Sequence, residues 1–173
     1  GRLELLRRLG VGDGIVDAED QSLDIRTAAI ENWRQATADA LDGKNTQGGD
    51  ANPILLALAH STAAFSIPKS ELLLLIDGCV DDLTIRRYER IEDTTAYCRK
   101  VAVTVGLSML AIFDCKDLDA RRAMESIGYA FQLTNIIRDI PEDLQRDRIY
   151  IPLSDMRACG VLEEDLRRGV MTR

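Results

Sequence analysis

A single histidine, and four cysteines of which none forms a Cys-x-x-Cys pair, leave the chain without any zinc-ligand spacing. Cys79, Cys98, Cys115 and Cys159 read instead as buried or half-buried thiols of a reducing compartment. Aromatics make up only 5% of residues and β-branched runs are short, so little favours strands. There is no Lys/Arg cluster and no aromatic-basic patch. With 22 basic against 29 acidic residues the net charge is −7, which argues against nucleic acid as a partner. An anionic substrate remains compatible if divalent cations bridge it to the protein. The apolar run Leu72–Ile76 is far too short to span a bilayer, and no signal peptide is visible. No repeat, low-complexity tract or linker divides the chain, so one helical domain over residues 1–173 is expected. The chain begins at Gly1 and stops at Arg173 soon after a predicted helix start, ends that read as those of a fragment.

Helical signals fill most of what remains. Asp24 is the expected cap of a helix Ile25–Asp42, with Ile25, Ala28, Ala29, Trp33, Ala36 and Ala40 at helical spacing and Gly43 as its stop. Lys44–Asp50 is a loop by composition. Asn52 caps and Pro53 opens a helix to Ser66; Pro68 opens the next, from Lys69 to Leu83. Glu92–Phe113 is a long apolar helix, and Asp117 starts the one after it. Two short pieces close the chain, Ser154–Cys159 and Glu163 onward.

The helix begun by Asp117 carries the most informative stretch. Gln132, Asn135, Asp139 and Asp143 are spaced three, four and four residues apart, which places them on one helical face. Phe131, Leu133, Ile136, Ile137 and Ile140 flank them, so the helix should be buried over much of its circumference. Carboxylates in a buried groove are costly unless they are paired or hold a cation. Asp139 and Asp143, roughly 6 Å apart on a helix, suit Mg²⁺ as hard oxygen ligands; the competing reading is a solvated acidic face. Pro141 lies between them and lacks the N–H that would bond to Ile137, so the helix must kink there, or end and restart.

Three further groups carry chemistry. Asp13 and Asp17 form a second acidic pair in DGIVD, to be weighed against a charged helix end, since Glu19, Asp20 and Asp24 follow. Tyr97, Val101 and Val105 share a face with Ala102 and Gly106 beside it, either a ligand wall or simple core packing. Arg138, Arg146 and Arg148 stand beside the acidic stretch as phosphate clamps or as surface ion pairs.

Taken together these residues resemble the squalene/phytoene synthases, head-to-head prenyl transferases of the all-α isoprenoid synthase fold. QLTNIIRDIPED resembles their second aspartate-rich motif and DRIYIP the segment after it. RRYERIEDTTAYCRKVAVTVG, Arg86 to Gly106, is similar to their RY…YC..VA..VG stretch, and DGIVD falls where their first aspartate-rich motif belongs. The resemblance covers Asp13 to Gly169 and departs from the family at Gly14, normally a second Asp, and at Gly10, normally an Arg.

The resemblance implies an isoprenoid synthase-type helical bundle truncated at both ends. It implies Mg²⁺ held by Asp139, Asp143, Asp13 and Asp17, two prenyl diphosphate substrates, and an apolar tunnel. Gln132 and Asn135 would line the diphosphate site, Arg138 would support diphosphate, and Tyr97 would face the reacting centre. Val101, Ala102 and Val105 would line the tunnel. Phytoene formation from two geranylgeranyl diphosphates is the expected reaction, with the squalene route from farnesyl diphosphate, a terpene cyclase, and an inactive paralogue that only binds prenyl diphosphate as alternatives. The missing helices and Gly14 predict weak or no activity for this chain alone. A cytoplasmic location with peripheral membrane contact is expected from products this apolar; no signal sets an oligomeric state.

Overall fold

The computed structural model describes residues 22–44 and 52–169. Among these, every regular element is a helix. In chain order they are α1 Leu23–Leu41, α2 Pro53–Ala64, α3 Lys69–Thr84, α4 Ile91–Cys98, α5 Thr104–Ile112, α6 Leu118–Arg138, α7 Ile140–Gln145, α8 Leu153–Ala158 and α9 Glu163–Arg168. The loop expected over Lys44–Asp50 lies almost wholly outside the described residues, as do Gly10, Asp13, Gly14 and Asp17.

Helix starts follow the side chains able to satisfy free N–H groups. Asn52 Oδ1 accepts from the Ile54 amide at 2.9 Å, and Asp117 Oδ1 from the Asp119 amide at 2.8 Å. The cap of α1 is Ser22, not Asp24: Ser22 is extended, and its Oγ accepts from the Ile25 amide. Asp24 sits inside the first turn, where a carboxylate suits the positive end of the helix dipole. Gly43, at φ 76°, ends α1 by taking the left-handed conformation that costs a Cβ-bearing residue most. Helix α2 stops at Ala64, two residues before the expected Ser66.

Between α4 and α5 the chain makes a π-helical turn over Arg99–Val103, so Ile91–Ile112 forms one rod. The Thr104 amide reaches back to the Arg99 carbonyl, and the Thr104 hydroxyl donates to the Lys100 carbonyl at 2.6 Å. The carbonyl bypassed by the wider turn is thereby satisfied. The rod lies between α3 and α6. It is apolar and long enough to cross a membrane by composition, but helices pack on both sides of it.

Two glycines set how closely the neighbours approach. A Cβ on Gly78 of α3 would lie 2.6 Å from Val101 Cγ1, and one on Gly128 of α6 would lie 2.9 Å from Val103 Cα. Ion pairs reinforce the α3 contact: Glu71 accepts two hydrogen bonds from Arg99, each 2.8 Å, and Lys100 reaches Asp81 at 2.6 Å.

Beyond α3 the chain runs extended through residues 85–90, and the segment after α7 returns alongside it. The Ile149 amide donates to Arg86 O at 3.0 Å and the Leu153 amide to Tyr88 O at 2.9 Å. A buried Thr94 hydroxyl holds the Tyr150 carbonyl at 2.8 Å. This pairing brings RRYE and DRIYIP together and builds a core cluster of Tyr88, Tyr97, Cys98, Ile136 and Tyr150. Cys98 is wholly buried, which pushes its thiol up to about 11, while Cys79 and Cys115 are half-buried; none is in a disulfide. Cys159 departs from expectation and is exposed, because it ends the short surface helix α8.

Candidate active site

Helix α6 delivers the acidic stretch, and Pro141 determines how it ends. The helix stops at Arg138, Asp139 becomes the junction residue, and α7 restarts at Ile140 with the proline in its first turn. The backbone nevertheless keeps its helical pitch. The Asp139 amide bonds to Asn135 O at 2.8 Å, and the Asp143 amide bonds to Asp139 O at 2.9 Å. Gln132, Asn135, Asp139 and Asp143 therefore follow one another along a single run, and Asn135 Nδ2 points to Gln132 Oε1 at 3.5 Å.

The burial expected around this run is only half present. Ile136 is 6% exposed, but Phe131 is 62% and Ile137 68% exposed. The apolar residues split between two faces, and no described element covers the outer one.

The two carboxylates differ in surroundings. Asp139 is gripped by both ends of the Arg138 guanidinium, Nε and Nη2 each at 2.6 Å, which holds its carboxyl below the usual range. Asp143 is half-buried and has no such partner among the described residues. Burial, then the negative charges of Asp139 and Asp82, push its carboxyl up to about 6, against the pull of Arg148 and Arg146. An excess of negative charge at a partly buried carboxylate is the condition a hard divalent cation relieves. Mg²⁺ needs only one or two carboxylates when waters and phosphate oxygens complete its shell. Among the described residues no three acidic, His or Cys side chains converge.

The tyrosines connect to this pair through a residue that the sequence reading did not single out. Tyr150 Oη donates to Asp82 Oδ1 at 2.7 Å, and the charge of the same carboxylate acts on the Tyr97 hydroxyl. The rings of Tyr97 and Tyr150 stack with centroids 4.9 Å apart, and Tyr88 lies 5.6 Å from each. Burial raises the hydroxyls of Tyr97, Tyr88 and Tyr150 above their ordinary range, and raises Asp82 as well. Arg148 is 8% exposed, its charge acts on both Asp82 and Asp143, and its Nε has no hydrogen-bond partner among the described residues. The sequence signal for Asp82 is weak: Asp81 and Asp82 stand between Cys79–Val80 and Leu83 on α3.

Tyr97, Gln132, Asn135, Asp139 and Asp143 thus form one connected region. Arg138 belongs to it through Asp139. Val101, Ala102 and Val105 are half-buried along the rod, and Val101 packs on Gly78 and on the tyrosine cluster. Their common face is not a plain α-helical one, because Val101 and Ala102 lie within the π turn.

Residues 10–173 match the sequence profile of the squalene/phytoene synthases. The chain is 36% identical over 163 residues to phytoene synthase of Thermus thermophilus, covering 94% of this chain and 53% of that protein. It is 33% identical over 167 residues to phytoene synthase 2, chloroplastic, of Oryza sativa subsp. japonica, covering 92% and 40%. Among solved structures it resembles squalene synthase HpnC from Alicyclobacillus acidocaldarius, with TM-score 0.76 and 31% identity over 85% of this chain and 54% of that one. It also resembles a dehydrosqualene synthase determined with a ligand, with TM-score 0.76 and 27% identity over 92% and 53%. The chain spans about half or less of the length of these proteins, and shares their all-helical fold. It belongs to the squalene/phytoene synthase family.

Proposed function

We propose that this chain carries the diphosphate-binding region of a head-to-head prenyl transferase, within one partial isoprenoid synthase domain. The observation that carries this reading is the convergence of the Gln132–Asp143 run with Tyr97 at one end of an apolar rod. Asp139 and Asp143 would hold Mg²⁺, with Asp13 and Asp17 as the second acidic pair that the family resemblance implies. Bound there, Mg²⁺ would supply charge neutralisation for a departing diphosphate.

The chain's own groups do the rest. Gln132 and Asn135 offer amides to diphosphate oxygens, and Arg138 sits where it can exchange Asp139 for phosphate. The C1–O bond of one substrate breaks, and its electron pair leaves with diphosphate. The double bond of the second substrate attacks the allylic cation, and loss of a proton closes a cyclopropylcarbinyl diphosphate. Tyr97, buried and stacked on Tyr150, would face the reacting centre. Val101, Ala102 and Val105 present apolar surface that keeps water from the cation.

Phytoene formation is favoured, because the phytoene synthases of Thermus thermophilus and rice are 36% and 33% identical to this chain. The squalene route is the second reading, supported by the 31% identity to a squalene synthase of the same fold. Incubation of the purified chain with labelled geranylgeranyl or farnesyl diphosphate and Mg²⁺ separates them by a C40 or a C30 hydrocarbon. A cyclic product from one substrate would establish a terpene cyclase instead, and binding without product a non-catalytic paralogue.

A further inference from the structure

We propose that Asp82 is a positioning residue for this site: its carboxylate fixes the hydroxyl of Tyr150 and, through the stacked rings of Tyr150 and Tyr97, sets where the Tyr97 hydroxyl stands relative to the acidic run. The proposal deepens the functional reading above and rests on it.

Asp81 and Asp82 are neighbours on α3, yet they serve different partners. Asp81 takes the ammonium of Lys100 at 2.6 Å. Asp82 turns to the tyrosines, receives the Tyr150 hydroxyl at 2.7 Å, and makes no ion pair within 4 Å among the described residues. A shielded carboxylate whose hydrogen-bond donor is a phenol is a costly way to satisfy a tyrosine. An amide or a hydroxyl would accept the same hydrogen bond without a charge to desolvate. What the charge adds is strength and direction, since hydrogen bonds to ionised acceptors are about twice as strong as neutral ones.

The surrounding frame makes that direction count. The Tyr97 and Tyr150 rings stack at 4.9 Å, so displacing one displaces the other. Tyr97 precedes the π turn by two residues, and that turn is locked to α3 by Glu71–Arg99, Asp81–Lys100 and the close Gly78 contact. Asp82 lies one turn beyond Gly78, so Asp82 and Tyr97 ride on the same clamp. The charge of Asp82 also reaches Asp143, while Arg148 faces both carboxylates and Asp81 lies beside Asp82. The tyrosine pair and the acidic run are thus tied through one side chain.

The test uses the purified chain and its Asp82→Asn, Asp82→Ala and Tyr150→Phe variants, with tyrosines isotopically labelled for NMR. Asp82→Ala should move the Tyr97 ring and hydroxyl resonances, and Asp82→Asn should restore them in part. With prenyl diphosphate and Mg²⁺, kcat should fall about tenfold or more in Asp82→Ala, with KM held within about twofold. Tyr150→Phe removes one hydroxyl without touching α3, and should also move Tyr97 if Asp82→Ala fails to fold. Tyr97 resonances that stay in place in the folded variants would overturn the proposal, as would a fall in thermal midpoint with kcat unchanged. Wild-type chain that neither binds nor converts prenyl diphosphate would sink the functional reading alone, because the resonances report the positioning independently.

Discussion

Asp139 and Asp143 carry the same functional group into different environments, and the difference is measurable. Asp143 has its folded carboxyl raised to about 6 from an ordinary value near 3.8. The sign follows: the fold prefers the protonated form, so this residue favours stability below about pH 4 and loses that contribution as pH rises through about 6. Thermal midpoints measured from pH 4 to 7 should therefore fall less steeply in Asp143→Asn than in the parent, and Asp143→Asn should be the more stable at pH 7. Asp139→Asn, at a position open to solvent and paired with Arg138, should leave the midpoint nearly unchanged. At this scale the sequence was most legible where a residue type contradicts its setting. Carboxylates among isoleucines marked Asp139 and Asp143. Asp82 escaped notice because its partner Tyr150 lies 68 residues away, a distance no local spacing encodes.

The elements show the same division between local and tertiary causes. Asn52, Asp117 and Pro141 act on their own turns, and the helix boundaries they imply are found within a residue. The π turn over Arg99–Val103 has no such local signature: Arg-Lys-Val-Ala-Val would serve an ordinary α-helix. Its cause is the fit between the rod and two glycine-bearing neighbours. Gly128→Ala places a methyl against Val103 backbone, where it cannot be absorbed by a flexible side chain, and should destabilise by about 1–3 kcal/mol in denaturant melts. Glu71→Gln leaves Arg99 without its charged partner in a mostly buried pair, and should destabilise by about 3 kcal/mol. Unchanged stability in both variants would show that the clamp on the π turn is incidental.

For the whole molecule, the length, the acidic balance and the helical periods made an all-helical domain legible, and the motifs made the family legible. What composition could not convey is which apolar faces the described residues leave open. Ile127, Phe131 and Ile137 stand 53–68% exposed along α6. A face this apolar should bind a hydrophobic dye, and a Phe131→Ser, Ile137→Ser double variant should reduce the dye signal while leaving the far-UV helical spectrum intact. The central claim is that the run from Gln132 to Asp143 binds prenyl diphosphate with divalent cation. Calorimetric titration of the chain with a non-hydrolysable prenyl diphosphate, with and without Mg²⁺, tests it most directly. The account predicts Mg²⁺-dependent binding that disappears in the Asp139→Asn, Asp143→Asn double variant. Binding that is indifferent to Mg²⁺, or that survives in the double variant, would contradict it.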